Sequence, residues 1–307
     1  MGQKSHFTTE QDEYIIEKYG VIPTRDIAKT LGFEGQTKKI SNRAASLGIT
    51  RDSNDRWMNE DSQINKDLLK RDEPYEDFIF EIKEKGLNTD FFKVIDTEPK
   101  AYWLGFLIAD GYVYTDTRGG AGRSKRVELG LGEKDRYQIE KFKRDLNIHN
   151  VTSKKKIKLK GKEHYAYITR VYSSELVGHL EDKGCIQNKS LVAEFPSTEI
   201  VPKEMQRHFM RGYFDGDGGV YSYDYSGNMN YSAGLVGTEH ILLGFQKILN
   251  EEADLGITKI THKGKAFQIK YAGKLTMMKL YEFLYKDNSI CLERKRNVFL
   301  DIFKSFN

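Results

Sequence analysis

The residues of this chain best suited to chemistry are two aspartates. Asp110 and Asp217 each close an apolar run, Trp103-Leu-Gly-Phe-Leu-Ile-Ala-Asp-Gly111 in one case and Met210-Arg-Gly-Tyr-Phe-Asp-Gly-Asp-Gly218 in the other. Overlaid, the runs share these two acids, because Ile108 stands where the second run has Asp215. Small residues lie four apart in each, Gly105 with Ala109 and Gly212 with Gly216, so on a helix they line one face. Such a face lets two helix backbones approach closely. Packed side by side, the helices would bring both carboxylates to a common end, where they repel unless a cation lies between them. The negative end of each helix dipole adds to that demand for counter-charge. Ligation by oxygen alone suits Mg2+ or another divalent cation. The backbone at Gly111 is a further candidate ligand that the sequence leaves open.

The two runs resemble the paired signature helices of single-chain LAGLIDADG homing endonucleases. The resemblance implies a metal-dependent, site-specific double-stranded DNA endonuclease in which the last acid of each motif, here Asp110 and Asp217, holds the divalent ions. It also implies a basic residue near the scissile phosphate, for which Lys189 and Lys295 stand at matching places. Leu104, Ile108 and Arg211 depart from the family lettering but leave the small face and the terminal acids intact. The alternative on the same fold is a binder without cleavage, an RNA splicing maturase or a DNA-binding regulator. A nucleotide-dependent enzyme is disfavoured, since Gly119-Gly-Ala-Gly122 lacks the Gly-Lys-Ser/Thr ending of a phosphate-binding loop.

From Ala101 onward the elements that must position these acids come twice. After Asp110 the pattern predicts strands over 112–115 and 126–131, a helix over 135–146, strands over 154–160 and 165–172, and a closing helix from Ser174. The second copy repeats the plan: Leu131-Gly-Glu-Lys-Asp135 is answered by Val236-Gly-Thr-Glu-His240, and Tyr172-Ser-Ser-Glu-Leu176 by Tyr271-Ala-Gly-Lys-Leu275. Cys185 and Lys189 are spaced like Cys291 and Lys295. The fold class expected is α+β, with two pseudo-symmetric αββαββα repeats forming paired antiparallel sheets, in a monomer with internal twofold symmetry.

One face of each sheet should carry its polar residues away from the helices to DNA. The candidates in the first copy are Arg118, Arg123, Lys125 and Arg126, then Lys154, Lys156, Lys158, Lys160 and Arg170. In the second they are Tyr223, Asn228 and Asn230, then Lys259, Lys263, Lys265 and Lys270.

Ahead of the repeats, residues 8–50 read as three short helices, with Thr9 and Thr37 as caps and Tyr14, Ile15 and Ile16 as core. The run Asp-Ile-Ala-Lys-Thr-Leu-Gly before a basic helix resembles the helix-turn-helix domains fused to phage-encoded nucleases. Lys38, Lys39, Asn42 and Arg43 would then face the DNA groove. The expected domains are a helix-turn-helix domain over 1–52, an acidic partly helical linker over 53–98, with Phe78, Ile79 and Ile82 docking on a core, and the two repeats over 99–200 and 201–307.

Charge distribution fits a DNA partner. The net charge is +4, yet residues 52–99 hold 14 acids against 7 Lys and Arg, which leaves the rest of the chain at +11. Apolar runs fall far short of the ~18 residues that a membrane span requires, and no secretory signal is legible at the N-terminus. An intracellular, cytoplasmic protein is expected. The two cysteines suit a reducing compartment and packing roles.

Overall fold

The structure is a computed structural model that describes residues 7–19, 24–47, 86–115, 125–159 and 161–305. The chain divides into two compact units, 1–70 and 71–307. Residues 48–85 lie outside the described residues, and with them residues 53–85 of the expected linker, including Phe78, Ile79 and Ile82.

In the first unit, helices α1 (Thr9–Lys18), α2 (Thr24–Thr30) and α3 (Thr37–Ser46) enclose a small core of Ile15, Ile27, Ala28, Ile40 and Ala44. The cap of α1 is Thr8 rather than Thr9, in a reciprocal pair with Gln11 that satisfies two end donors. Helix α3 has no side-chain cap, so Thr37 is its first residue instead. Ile16 is exposed, because the face of α1 that packs inward is the one led by Ile15.

The second unit is α+β. Its first copy runs α4 (Glu98–Asp110), β1 (Tyr112–Thr115), β2 (Lys125–Gly132), α5 (Arg136–Leu146), β3 (Ser153–Leu159), β4 (Lys162–Tyr172) and α6 (Ser174–Asp182). Its second runs α7 (Lys203–Asp217), β5 (Gly218–Tyr225), β6 (Asn228–Gly237), α8 (Glu239–Ala253), β7 (Thr261–Lys263), β8 (Ala266–Ala272) and α9 (Lys274–Tyr285), and adds α10 (Glu293–Lys304). Each copy forms a four-stranded antiparallel sheet with the same order, β1-β2-β4-β3 and β5-β6-β8-β7. Ser226 and Gly227, both at positive φ, make the tight β5–β6 turn that matches the twist of the strands it joins.

The core lies under the sheets and around α4, which is buried continuously from Ala101 to Ile108, as expected of a helix that is apolar on all sides. Phe91, Phe92 and Ile95 are buried too, so the last stretch of the expected linker is part of this core. The matched strand ends are not equivalent by face. Leu131 is buried on the helix side whereas Val236 points to the open side, and Tyr172 is exposed whereas Tyr271 is buried. A one-residue offset reverses every side chain of a strand, so the structural partners are Leu131 with Gly237 and Tyr172 with Ala272.

Candidate active site and nucleic-acid interface

Helices α4 and α7 meet along the small faces read from the sequence. A Cβ placed on Gly105 would lie 2.0 Å from the Phe209 carbonyl oxygen, one on Gly212 1.9 Å from that of Tyr102, and one on Gly216 2.4 Å from Ala109 Cβ. Only glycine permits this separation. The seam is tied at the other end of the helices by Arg211, 0% exposed, which donates to the Ile290 and Leu284 carbonyls and to Glu98 at the start of α4. The Arg211 departure from the family lettering is thus a link between the two copies.

The seam brings Asp110 and Asp217, the last residues of their helices, to one place. A Cβ on Gly216 would be 3.6 Å from Asp110 Cγ. Burial first and neighbouring Asp110 second push the Asp217 carboxyl up to about 6, against the pull of Lys295, Lys189 and Lys263. Asp110 is exposed, yet desolvation by the protein around it raises its carboxyl above the usual carboxylate range, with Lys295 and Lys189 opposing.

Lys189 and Lys295, 6% and 7% exposed, are buried rather than surface residues. Each serves the helix end in its own copy: Lys189 Nζ donates to the Gly111 carbonyl, and Lys295 Nζ to those of Phe214, Gly216 and Gly218, at 2.9, 3.0 and 2.5 Å. The Gly111, Gly216 and Gly218 carbonyls are at helix C-termini, where acceptors lack intrahelical donors, while that of Phe214 also accepts from the Gly218 amide; the lysine charge opposes the dipole there. The Gly111 oxygen, a candidate ligand in the sequence, is a lysine anchor. Burial lowers the Lys295 ammonium, although Asp215, Asp110 and Asp217 hold it up. Its neighbour Arg294 instead pairs with Asp135 of the first copy at 2.8 Å.

Asp215, set aside by the sequence overlay, is buried and accepts from Tyr102 Oη, Tyr285 Oη and the Leu292 amide, at 2.9, 2.7 and 2.6 Å. No local signal marks it, because its partners come from three separate segments.

Strand alternation sorts the sheet candidates. On the first sheet, Val127, Leu129, Leu131 and Val171 face the helices, so Arg126 and Arg170 face the open side, together with Tyr112 and Tyr114. Lys125 does not join them. It has helix-side parity and pairs with Glu181 of α6 at 2.5 Å. Lys154, Lys156 and Lys158 pair across the ladder with Tyr167, Tyr165 and Glu163, also of helix-side parity, and Lys155 takes the open side instead. All four lysines are exposed. Arg118, Arg123 and Lys160, and the Gly119–Gly122 loop, lie outside the described residues.

On the second sheet Tyr223, Asn228, Asn230, Lys263 and Lys270 all have open-side parity, as do Tyr221, Ser232 and Gln268, which were not among the sequence candidates. The period-two pattern that runs through Tyr223, Asn230 and Lys270 includes all three. A groove of about 420 Å3 on this face is lined by Asp217, Tyr221, Tyr223, Ser232, Gln268 and Lys270, among others. Lys259 precedes β7 and Lys265 sits in the β7–β8 turn, off the ladder. In the first unit Lys38 and Asn42 are exposed on α3, Lys39 stacks 3.8 Å over Phe33, and Arg43 is bound to Asp12 of α1, which lowers that carboxyl.

Residues 97–183 match the family model described as LAGLIDADG-like domain. This segment is a LAGLIDADG-like domain. It spans the whole first copy from α4 to α6, and the second copy repeats its order of elements. Similar solved structures include the LAGLIDADG meganuclease I-AabMI bound to uncleaved DNA, at 13% identity over 67% of this chain and 90% of that one, with a TM-score of 0.45. The I-LtrWI LAGLIDADG homing endonuclease bound to target DNA is 10% identical over 71% and 91%, with a TM-score of 0.45. The I-SmaMI LAGLIDADG homing endonuclease bound to cleaved DNA is 13% identical over 66% and 87%, also at 0.45. No curated protein matches the chain. Among the described residues, no helix is long and apolar enough to cross a membrane.

Proposed function

We propose that this protein is a homing endonuclease that cuts both strands of a specific DNA site, with a divalent cation such as Mg2+ held by Asp110 and Asp217. The observation that carries the reading is the meeting of two aspartates, one from each copy, at the common end of a glycine-lined seam. The donor set fits the ion. Magnesium binds through one or two carboxylates and keeps waters and substrate phosphate oxygens as its other ligands. Asp217 is half-buried with its carboxyl raised by burial and then by Asp110, and two of the lysines that oppose the rise, Lys189 and Lys295, are already engaged by backbone carbonyls.

When bound, the cation would neutralise charge developing on the attacked phosphate and make a coordinated water nucleophilic. The protein's own groups prepare the place. Asp110 and Asp217 must be ionised together, and Lys295 fixes the backbone on both sides of Asp217 through the Gly216 and Gly218 carbonyls. Lys189 fixes Gly111 in the same manner. Both lysines are therefore positioning residues at the helix ends, and their charge holds the acid pair together before DNA arrives.

The open sheet faces would carry the duplex, through Arg126, Arg170 and Lys155 on the first and Tyr221, Tyr223, Asn230, Gln268, Lys263 and Lys270 on the second. Lys38 and Asn42 of α3 would add contacts from the first unit. The test is selection of cleaved sites from a randomised duplex library in magnesium, repeated with Asp110→Asn and Asp217→Asn. Cleavage at a defined site by the parent alone is expected, with both variants still binding that site. Undiminished cutting by either variant would overturn the shared metal site.

A further inference from the structure

The open face of the first sheet carries a feature that phosphate binding does not require. Glu128 lies directly across the ladder from Arg170 on β4 and from Tyr112 on β1, while Arg126 lies across from Tyr172 and Tyr114. Arg126 Nε donates to one Glu128 oxygen at 2.6 Å and Arg170 Nε to the other at 3.0 Å. The Arg126 guanidinium also stacks 4.2 Å over the Tyr114 ring. One carboxylate, its side chain 15% exposed, thus orients two arginines from different strands on the face proposed to meet DNA.

A carboxylate is out of place on a surface meant only to neutralise phosphate, because it removes charge and repels the backbone. Its use is orientation. Glu128 takes the Nε of each arginine and leaves the Nη1/Nη2 edge for another acceptor pair. That edge matches the O6 and N7 acceptors of guanine in the major groove, the commonest base-specific arginine contact. A planar fork held at Nε has less rotamer freedom left to lose on binding.

The second sheet lacks this device. Counted from the motif aspartates, Gly234 occupies the Glu128 position, Ser232 that of Arg126 and Lys270 that of Arg170. The Tyr221 ring edge lies within 3.8 Å of a Cβ placed on Gly234, where the first sheet has its carboxylate.

We infer that Glu128 is a specificity-determining residue that presets Arg126 and Arg170 to read two guanines in the half-site under the first sheet, which makes the DNA target asymmetric in base composition. The inference rests on the proposed endonuclease reading. Its test is the same library selection, by binding and by cleavage, with the parent, Glu128→Gln, Glu128→Ala and Arg126→Lys. The parent selects guanine at two positions in one half of the site. Both Glu128 variants flatten the preference there by about tenfold or more, while total DNA affinity holds or rises because a negative charge is lost. Arg126→Lys flattens one of the two positions. Unchanged guanine selection in Glu128→Ala, or a parent site with no fixed guanine in either half, overturns the inference and leaves the endonuclease reading standing. A parent that selects no sequence overturns both. Unaltered thermal unfolding of Glu128→Gln ties its effect to readout rather than folding.

Discussion

Two residues before the motif acid, the first copy has Ile108 and the second has Asp215, and the two helix ends differ accordingly. Around Asp217 the support is dense. Asp215 holds the Leu292 amide, the following turn carries Lys295, and Lys295 gathers two carbonyls of α7 and the Gly218 carbonyl that begins β5. Around Asp110 the support is lighter, with Lys189 in a short 3-10 turn reaching the Gly111 carbonyl alone among the described residues. The backbone thus sets the two acids in equivalent places while the surroundings distinguish them. A duplicated unit can keep a shared centre at its axis and let its flanks diverge. The open faces diverge in the same way, an arginine pair on one sheet and phenol, amide and lysine groups on the other.

The comparison is tested most severely at the acids. Asp110→Asn and Asp217→Asn should each reduce double-strand cleavage by more than about a hundredfold, beyond the loss usual for a group that only orients a metal ligand. If one variant abolished activity and the other converted the enzyme to a nickase, the equivalence would be broken in an informative way.

Next in size is the seam itself. Gly105→Val and Gly212→Val should destabilise the second unit to a similar extent, by about 3 kcal/mol or more, since each side chain would collide with backbone of the facing helix. Thermal unfolding of the two variants would reveal an unequal seam if their losses differed widely.

Lys295→Met should cost more stability than Lys189→Met, about 2 kcal/mol against about 1, because more buried carbonyls lose their donor. Equal losses in urea unfolding would mean that the additional carbonyls find other partners.

The smallest effect concerns pH. The Asp217 carboxyl is raised in the folded protein, so the unfolded chain loses its proton first as pH increases. The stabilisation from the retained proton is complete below about 4 and is lost as pH rises through about 6. In chelator the melting temperature should therefore decline over that window, and Asp217→Asn should flatten the decline. With divalent cation present, stabilisation by the ion should grow over the same window as protons cease to compete. A chelated protein whose stability increased from pH 4 to 6, with Asp217→Asn removing the increase, would contradict the raised value.

Most of the architecture could be read from the chain, because the signals that specify it are short in range. Small residues four apart predicted the α4–α7 seam, period-two runs predicted the strands within a few residues, and the repeated order of elements gave the paired sheets. The terminal acids followed from the same overlay. The sequence did not determine which sheet face each basic residue occupies. Strand register depends on pairing between distant segments, and one residue of slip sends Lys125 to the helix side while Arg126 stays open. Tertiary structure alone also decided that Lys189 and Lys295 are buried clamps, that Asp215 is a hub for Tyr102, Tyr285 and Leu292, and that Glu128 joins two arginines. Each of those arrangements is made by groups far apart along the chain, whose meeting is fixed by packing and leaves no trace in local spacing.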